Sequence, residues 1–300
     1  MSITLKGIDV SGYQGEIDFE RVKESGVEFV IVKAGYSTST VPTWEKNFAN
    51  AKNSGLKVGA YWYSYARTIE DGIREAKAFI KALDGKQLDF PVYMDLEERA
   101  QFNLGKEFCT ELVKAFCGEL AKAGYYCGVY STTYWYTTYV DEKIREAYPA
   151  WIADYRDKCY YTGTYGIWQY GTGTVPGVQY ECDLDEGYDD YSKYIIENGL
   201  NGYPKKPEKT LDELARDVIR GDWGNGEERY ERLTEAGYDY DAVQKRVNEI
   251  LYPPLKPLDE VAREVIRGDW GNGEERYRRL TEAGYDYYQV QRKVNEILYN

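Results

Sequence analysis

Two carboxylates two residues apart, in Phe90-Pro-Val-Tyr-Met-Asp-Leu-Glu97, are the pair in this chain best placed to do chemistry. Side chains alternate along a strand, so Asp95 and Glu97 share one side while Leu96 packs behind them. Crowded carboxylates resist joint ionisation, which can keep one of them protonated at neutral pH. A protonated acid beside a second negative group is what cleavage of a glycosidic bond requires. Two further acids fall near strand-like segments: Asp9 in Gly7-Ile-Asp-Val-Ser11 and Asp183 in Glu181-Cys-Asp-Leu-Asp185. Taken singly, an Asp-x-Glu at a strand end reads equally as a solvated turn or a structural ion pair. A divalent-metal site is a third reading, but no metal-binding loop pattern accompanies it, and the expectation is no metal and no cofactor. The chain has no histidine among its 300 residues, which excludes Ser-His-Asp and Cys-His catalysis and His-ligated zinc.

The elements that would position these acids alternate between strand and helix. Candidate strands are 6–10, 29–34, 58–63, 91–96, 126–130, 150–153, 166–170 and 182–184, with amphipathic helices near 18–25, 44–54, 69–84 and 105–123. This pattern predicts an α/β fold, an irregular TIM-like (β/α) barrel over residues 1–200 with some helices reduced to loops. Reactive groups of such barrels sit where strands end. Aromatic residues accompany the acids there: Tyr61, Trp62 and Tyr63, then Tyr130, Trp151, Trp168 and Tyr170. Tyr61, Tyr63, Tyr130, Trp151 and Trp168 are the candidates to line a groove for sugar faces; core packing explains any single ring as well.

Beyond a spacer at 201–210, which contains Asn201-Gly-Tyr-Pro-Lys-Lys-Pro207, the chain repeats itself. Residues 211–251 recur at 258–298, offset by 47 positions and differing at seven, with a proline-rich linker at 252–257. Each copy predicts a small three-helix bundle. Gly221 ends the first helix, the glycine-rich Asp222-Trp-Gly-Asn-Gly226 cannot continue it, and Gly237 caps the second.

The net charge of −13 argues against nucleic acid and against docking on anionic membrane. No apolar run is long enough to span a membrane, so no membrane insertion is expected. Met1-Ser-Ile-Thr-Leu-Lys-Gly7 has no apolar signal-peptide core, so no secretory signal peptide is visible. Five cysteines without a Cys-x-x-Cys pair read as buried free thiols rather than a disulfide framework.

Together these segments resemble the glycoside hydrolase family 25 lysozymes of phage lysins and bacterial autolysins. The resemblance is carried, in order, by Gly7-Ile-Asp-Val-Ser-Gly-Tyr-Gln-Gly15, Phe29-Val-Ile-Val-Lys-Ala-Gly35, Gly59-Ala-Tyr-Trp-Tyr-Ser-Tyr65, Pro91-Val-Tyr-Met-Asp-Leu-Glu97, Gly128-Val-Tyr-Ser131, Trp151-Ile-Ala-Asp-Tyr155 and Trp168-Gln-Tyr170. It implies hydrolysis of the β-1,4 bond between N-acetylmuramic acid and N-acetylglucosamine and, with no signal peptide visible, leads to the expectation of synthesis in a host cytoplasm and release to the wall by a holin-type route. It further implies that Glu97 is the general acid, that Asp95 positions the substrate's N-acetyl group, and that Asp9 and Asp183 are groove acids. Trp62 stands where one family variant has histidine. The repeats resemble short wall-binding repeats of the choline-independent phage-lysozyme type. Their expected contacts with the glycan-peptide unit of bacterial peptidoglycan are Trp223, Asn225 and Arg229, and Trp270, Asn272 and Arg276. Two other readings stand beside the lysozyme: a wall-binding protein with an inactive barrel, and another barrel glycosidase such as a chitinase. The longer acid run of a chitinase is absent, since Pro91 and Tyr93 occupy the earlier places.

Overall fold

The computed structural model describes residues 4–189, 191–205, 209–252 and 254–299. It divides into two compact units, Met1–Lys206 and Pro207–Asn300.

The first unit is a closed barrel. Its strands are β1 (Leu5–Val10), β2 (Phe29–Tyr36), β4 (Lys57–Tyr63), β5 (Val92–Asp95), β6 (Cys127–Thr132), β7 (Ala150–Ala153), β8 (Ile167–Gly173) and β9 (Cys182–Gly187), and the two-residue β3 (Ser39–Thr40) hangs on the edge of β2. Strands β1, β2 and β4 to β8 run parallel in sequence order, and β9 closes the ring by pairing antiparallel with both β8 and β1. The reversal has a simple cause. Only residues 174–181 link β8 to β9, too few for the crossover that parallel pairing needs.

Alternation splits every strand between two apolar layers. Ile8, Val30, Val32, Val58, Ala60, Met94, Val129 and Ile152 face outward into the larger core. That core is covered by α1 (Phe19–Glu24), α2 (Trp44–Asn53), α3 (Ile69–Leu83), α4 (Arg99–Phe102) and α5 (Lys106–Lys122). The later links hold only the short α6 (Thr133–Tyr139) and α7 (Glu142–Ala147), and none between β7 and β9, as expected for so short a barrel. Inward, Phe29, Ile31, Tyr61, Phe90, Tyr93, Trp151 and Ile167 fill the barrel. Glycines make room for these rings: a Cβ on Gly7 would lie 2.1 Å from the Phe29 ring, and one on Gly128 2.6 Å from Tyr93.

The bottom of the barrel is plugged. Helix α8 (Tyr191–Glu197) contributes Tyr191 and Ile195 to the inner core. Asn201 is fully buried, accepts from the Tyr126 N–H at 2.7 Å and donates to the Phe90 carbonyl at 2.8 Å. The segment expected as a linker from residue 201 therefore begins as part of the barrel. Lys206, Pro207, Glu208 and Pro253 of the expected linkers lie outside the described residues. All five cysteines are free thiols, four of them buried.

In the second unit each repeat forms three helices: α9 (Leu211–Arg220), α10 (Glu227–Glu235) and α11 (Tyr240–Leu251), then α12 (Leu258–Arg267), α13 (Glu274–Glu282) and α14 (Tyr287–Tyr299). Gly221 and Gly268 end the first helices in the left-handed region, at φ 93° and 91°. Leu214, Val218, Leu233, Val243 and Val247 make the core of the first repeat; Val261, Val265, Leu280, Val290 and Val294 make that of the second. Each repeat begins earlier than its apolar pattern suggests. Lys209 and Lys256 reach forward to the acids at 217 and 264, and Thr210 caps α9. Among the described residues no helix is long and apolar enough to cross a membrane.

Candidate active site

The open end of the barrel gathers the acids. Asp95 is the last residue of β5, in register with Tyr63 on one side and Tyr130 on the other. The chain then stays extended for two residues: Ser64 N–H donates to the Asp95 carbonyl at 3.1 Å, Leu96 N–H to the Tyr130 carbonyl at 2.9 Å, and Ser131 Oγ to the Leu96 carbonyl at 2.7 Å. This splint carries the strand alternation past the end of the ladder, with Leu96 fully buried in the outer core. Glu97 comes out on the side of Asp95, on the wall of a cleft of about 850 Å³. On β1 and β9, Asp9 pairs directly with Asp183. Because β9 runs backwards, it is the start of that strand that meets the mouth.

The acids differ in environment. Asp95 is 3% exposed and, among the described residues, its Oδ1 has no hydrogen-bond partner. Burial, then the charge of Glu97, pushes its pKa well above the carboxylate range, with Lys33 pulling the other way. Glu97 opens onto the cleft, yet the walls around its carboxyl strip part of its water and raise its pKa. Lys33 opposes that shift, and Asp183 and Glu98 add to it. Asp9 is raised by burial, then by Asp185 and Asp183, while the Gln169 amide, which donates to it at 2.6 Å, pulls the other way. Asp154 behaves oppositely. The Arg156 guanidinium grips it and holds its pKa down to about 2, so it stays ionised and ties Thr133 and the Tyr160 backbone into the cleft wall.

Several residues of the mouth did not stand out in the sequence. Lys33 places its ammonium 5.4 Å from the Tyr61 ring and 5.1 Å from Tyr63, facing both Asp95 and Glu97. Gln169 links Asp9 to the hydroxyls of Tyr130 and Tyr155, each 2.9 Å from its Oε1, and Tyr155 also reaches Asp183 at 2.8 Å. Asp185 lies below, almost fully buried, accepting from the Trp151 indole at 2.8 Å. Its signal was present: it stands two residues from Asp183 on one strand. Bulges at Ala34 and Tyr170, beside Lys33 and Gln169, interrupt the ladders next to the site.

The expected aromatic groove is partly redrawn. Tyr63 and Tyr130 stand at the mouth, and Tyr61 forms its floor at 8% exposure. Trp151, 1% exposed, lies beneath the floor with its ring 4.5 Å from that of Tyr130, and cannot stack on a sugar. Trp168 pairs in register with the outward-facing Ile152, so alternation turns it away from the mouth, and its indole donates to the Asp154 carbonyl. Trp62 likewise faces outward, against Phe79. The exposed rings are instead at strand ends and on the connections beyond them: Tyr134 in α6 with Tyr155 and Tyr160 after β7, beside Glu97, and Tyr13, Tyr36 at the end of β2 and Tyr65 around a second hollow of about 590 Å³ that includes Lys33.

Buried like charges cost stability. A carboxyl whose folded pKa is raised stabilises the fold only while protonated, and that contribution fades as pH rises through the folded pKa. Asp9→Asn is therefore expected to raise the Tm at pH 7 by roughly 2–5 °C and to change it little near pH 3.5. Thermal unfolding followed by circular dichroism at both pH values measures this; a lower Tm at pH 7 would contradict it.

Residues 8–178 match the family model described as glycosyl hydrolases family 25. The chain belongs to glycosyl hydrolase family 25. Its second unit carries two matches to the CW_7 repeat, at 212–251 and 259–298. This family 25 chain is 35% identical over 200 residues to an autolytic lysozyme of Clostridium acetobutylicum, covering 65% of this chain and 58% of that protein. It is 34% identical over 255 residues to the lysozyme of Streptococcus phage Cp-7, covering 81% of this chain and 69% of the other. Among solved structures, the modular autolysin LytC of Streptococcus pneumoniae, in complex with a synthetic peptidoglycan ligand, superposes with a TM-score of 0.57 at 25% identity, over 62% of this chain and 47% of that one. The chain thus spans less than two thirds of the length of the clostridial relative.

Within each repeat, the expected contact arginines are largely spent internally. Arg229 donates to the Gly224 carbonyl, Gln244 and Asn225, and Arg276 repeats this with Gly271, Gln291 and Asn272. These arginines lock the glycine-rich loop onto the third helix. Asn225 and Asn272 stay exposed, and Trp223 and Trp270 stand half-buried against Tyr238 and Tyr285.

Proposed function

We propose that this chain is a peptidoglycan hydrolase, an N-acetylmuramidase cutting the β-1,4 bond between N-acetylmuramic acid and N-acetylglucosamine, held on the wall by its two repeats. One observation carries the reading: a protonatable Glu97 on the wall of an open cleft, next to a buried Asp95 whose Oδ1 lacks a partner. Family membership, the lysozyme relatives and the peptidoglycan bound to the pneumococcal autolysin support it.

In this mechanism Glu97 gives its proton to the glycosidic oxygen as the bond to the anomeric carbon breaks. The carbonyl oxygen of the substrate's own 2-acetamido group closes on that carbon, while Asp95 accepts a hydrogen bond from the acetamido N–H. Water then opens the ring, returning its proton to Glu97. Asp9 and Asp183, bridged by Gln169 and Tyr155, place acceptor oxygens beside the mouth, which favour positive charge developing at the anomeric carbon. The repeats bind the glycan-peptide unit of the same polymer, and two weak sites on one chain multiply retention.

Digestion of purified peptidoglycan tests this directly. Reduction of the products with borohydride, followed by mass spectrometry, is expected to label N-acetylmuramic acid at the new ends. Labelled N-acetylglucosamine would overturn the bond assignment, and cleavage of chitin oligosaccharides supplied separately, with the peptidoglycan left intact, would favour the chitinase reading.

Lys33 offers a second check. Its charge favours the ionised forms of Asp95 and Glu97, so its removal raises both pKa values. Lys33→Met is expected to move both limbs of the pH profile of kcat/KM upward by about one pH unit. An unmoved profile would show that the ammonium does not act on the acids.

A further inference from the structure

The two repeats share most of their sequence, yet their tryptophans are not in the same state. The first difference of consequence between them is one methylene, Asp217 against Glu264. In the second repeat the longer side chain divides its oxygens: Oε1 takes Lys256, and Oε2 accepts the Trp270 indole N–H at 3.0 Å. Arg267 is left to Asp269. In the first repeat the shorter Asp217 gives one oxygen to Lys209 and the other to Arg220, which also holds Asp222. Nothing is left for Trp223, and among the described residues no group accepts from its indole N–H.

The tyrosines packed edge-on to these indoles differ in the same sense. The Tyr285 hydroxyl accepts from the Lys256 backbone N–H at 2.7 Å. Tyr238, its counterpart, has no such partner among the described residues. Otherwise the clusters match: the rings are 5.9 and 5.8 Å apart, and Arg232 and Arg279 stand 5.9 and 6.0 Å from the tryptophans. The first repeat thus presents a half-buried Trp-Tyr pair with both polar handles open, while the second has turned both handles inward.

We infer that the first repeat is the copy that reads the wall through its tryptophan. The Trp223 N–H and the Tyr238 hydroxyl would hold an acetamido carbonyl and a hydroxyl of an N-acetylated sugar, and the second repeat would use Trp270 chiefly to hold its own fold. An indole is suited to this, because its ring takes the apolar face of a sugar while its single donor demands an acceptor. The inference rests on the reading of the repeats as wall-binding modules.

The test exchanges the acids. In the full chain carrying Glu97→Gln, so that sacculi stay intact, retention on purified peptidoglycan is measured for Asp217→Glu, Glu264→Asp and Trp223→Phe, with circular dichroism confirming folding. Asp217→Glu and Trp223→Phe are each expected to weaken retention about tenfold by removing one hydrogen bond. Glu264→Asp should leave retention intact or strengthen it, while lowering the Tm of the helical unit. Equal effects of the two exchanges, or none, would overturn the inference. A parallel protein ending at Lys205, whose closed sheet and two cores lie within the barrel unit, separates the two failures. If it is retained as well as the full chain, the wall-binding reading itself falls; if it is lost while the exchanges have no effect, only the asymmetry falls.

Discussion

Glu97→Gln is expected to reduce kcat on purified peptidoglycan by about a thousandfold, the range in which general acid catalysis contributes. The amide keeps the size of the side chain and can still hydrogen-bond, so KM and retention on sacculi should change little. Loss of kcat with KM preserved marks an interaction made in the transition state rather than in substrate binding. Stability should not suffer, because the glutamate's pKa is raised in the fold: at neutral pH its charged form is disfavoured there, and the amide removes that cost. Release of reducing ends over time measures the effect. A variant within about tenfold of the wild-type rate would remove Glu97 from the role of acid.

Truncation after Lys205 is the second large effect. Lysis of whole cells should fall by about a hundredfold, because each repeat adds a tethered contact to the same polymer, whereas cleavage of short soluble fragments should change less than about twofold. The position of the cut matters. Asn201 seals the barrel floor and Tyr203 bonds Asp89, so ending the chain before them would damage the barrel itself. Turbidity clearing and fragment cleavage, measured side by side, give the ratio. Equal losses in both assays would mean that the repeats serve the barrel's stability and not its targeting.

Much of this was legible in the linear chain because it depends on local rules. The strands announced themselves as short apolar runs separated by amphipathic stretches, and Asp95 and Glu97 were placed on one side by alternation alone. The repeats announced themselves by identity, and their helix ends by glycine. What local rules handled poorly were residues whose role depends on neighbours distant in sequence. Lys33 looks like an ordinary strand lysine until β2 lies beside β4 and its ammonium comes over Tyr61 and Tyr63. Gln169 acquires its role from Asp9, 160 residues away. Trp151 and Trp168 read as sugar platforms by composition, but depth in the barrel and the outward side of a strand remove both from the mouth.

The order of residues alone therefore determined the class of fold, the repeat architecture and the acid pair, since each follows from periodicity within a few turns or strands. Closure of the sheet decided the rest. It brought an antiparallel last strand between the first and the eighth, set Asp183 opposite Asp9, buried Asp9, Asp95 and Asp185 within one barrel, and placed Lys33 as counter-charge to Asp95 and Glu97. The physical reason is that a carboxyl's pKa and a ring's accessibility are properties of the space around them. In a barrel that space is built by strands from the whole length of the unit.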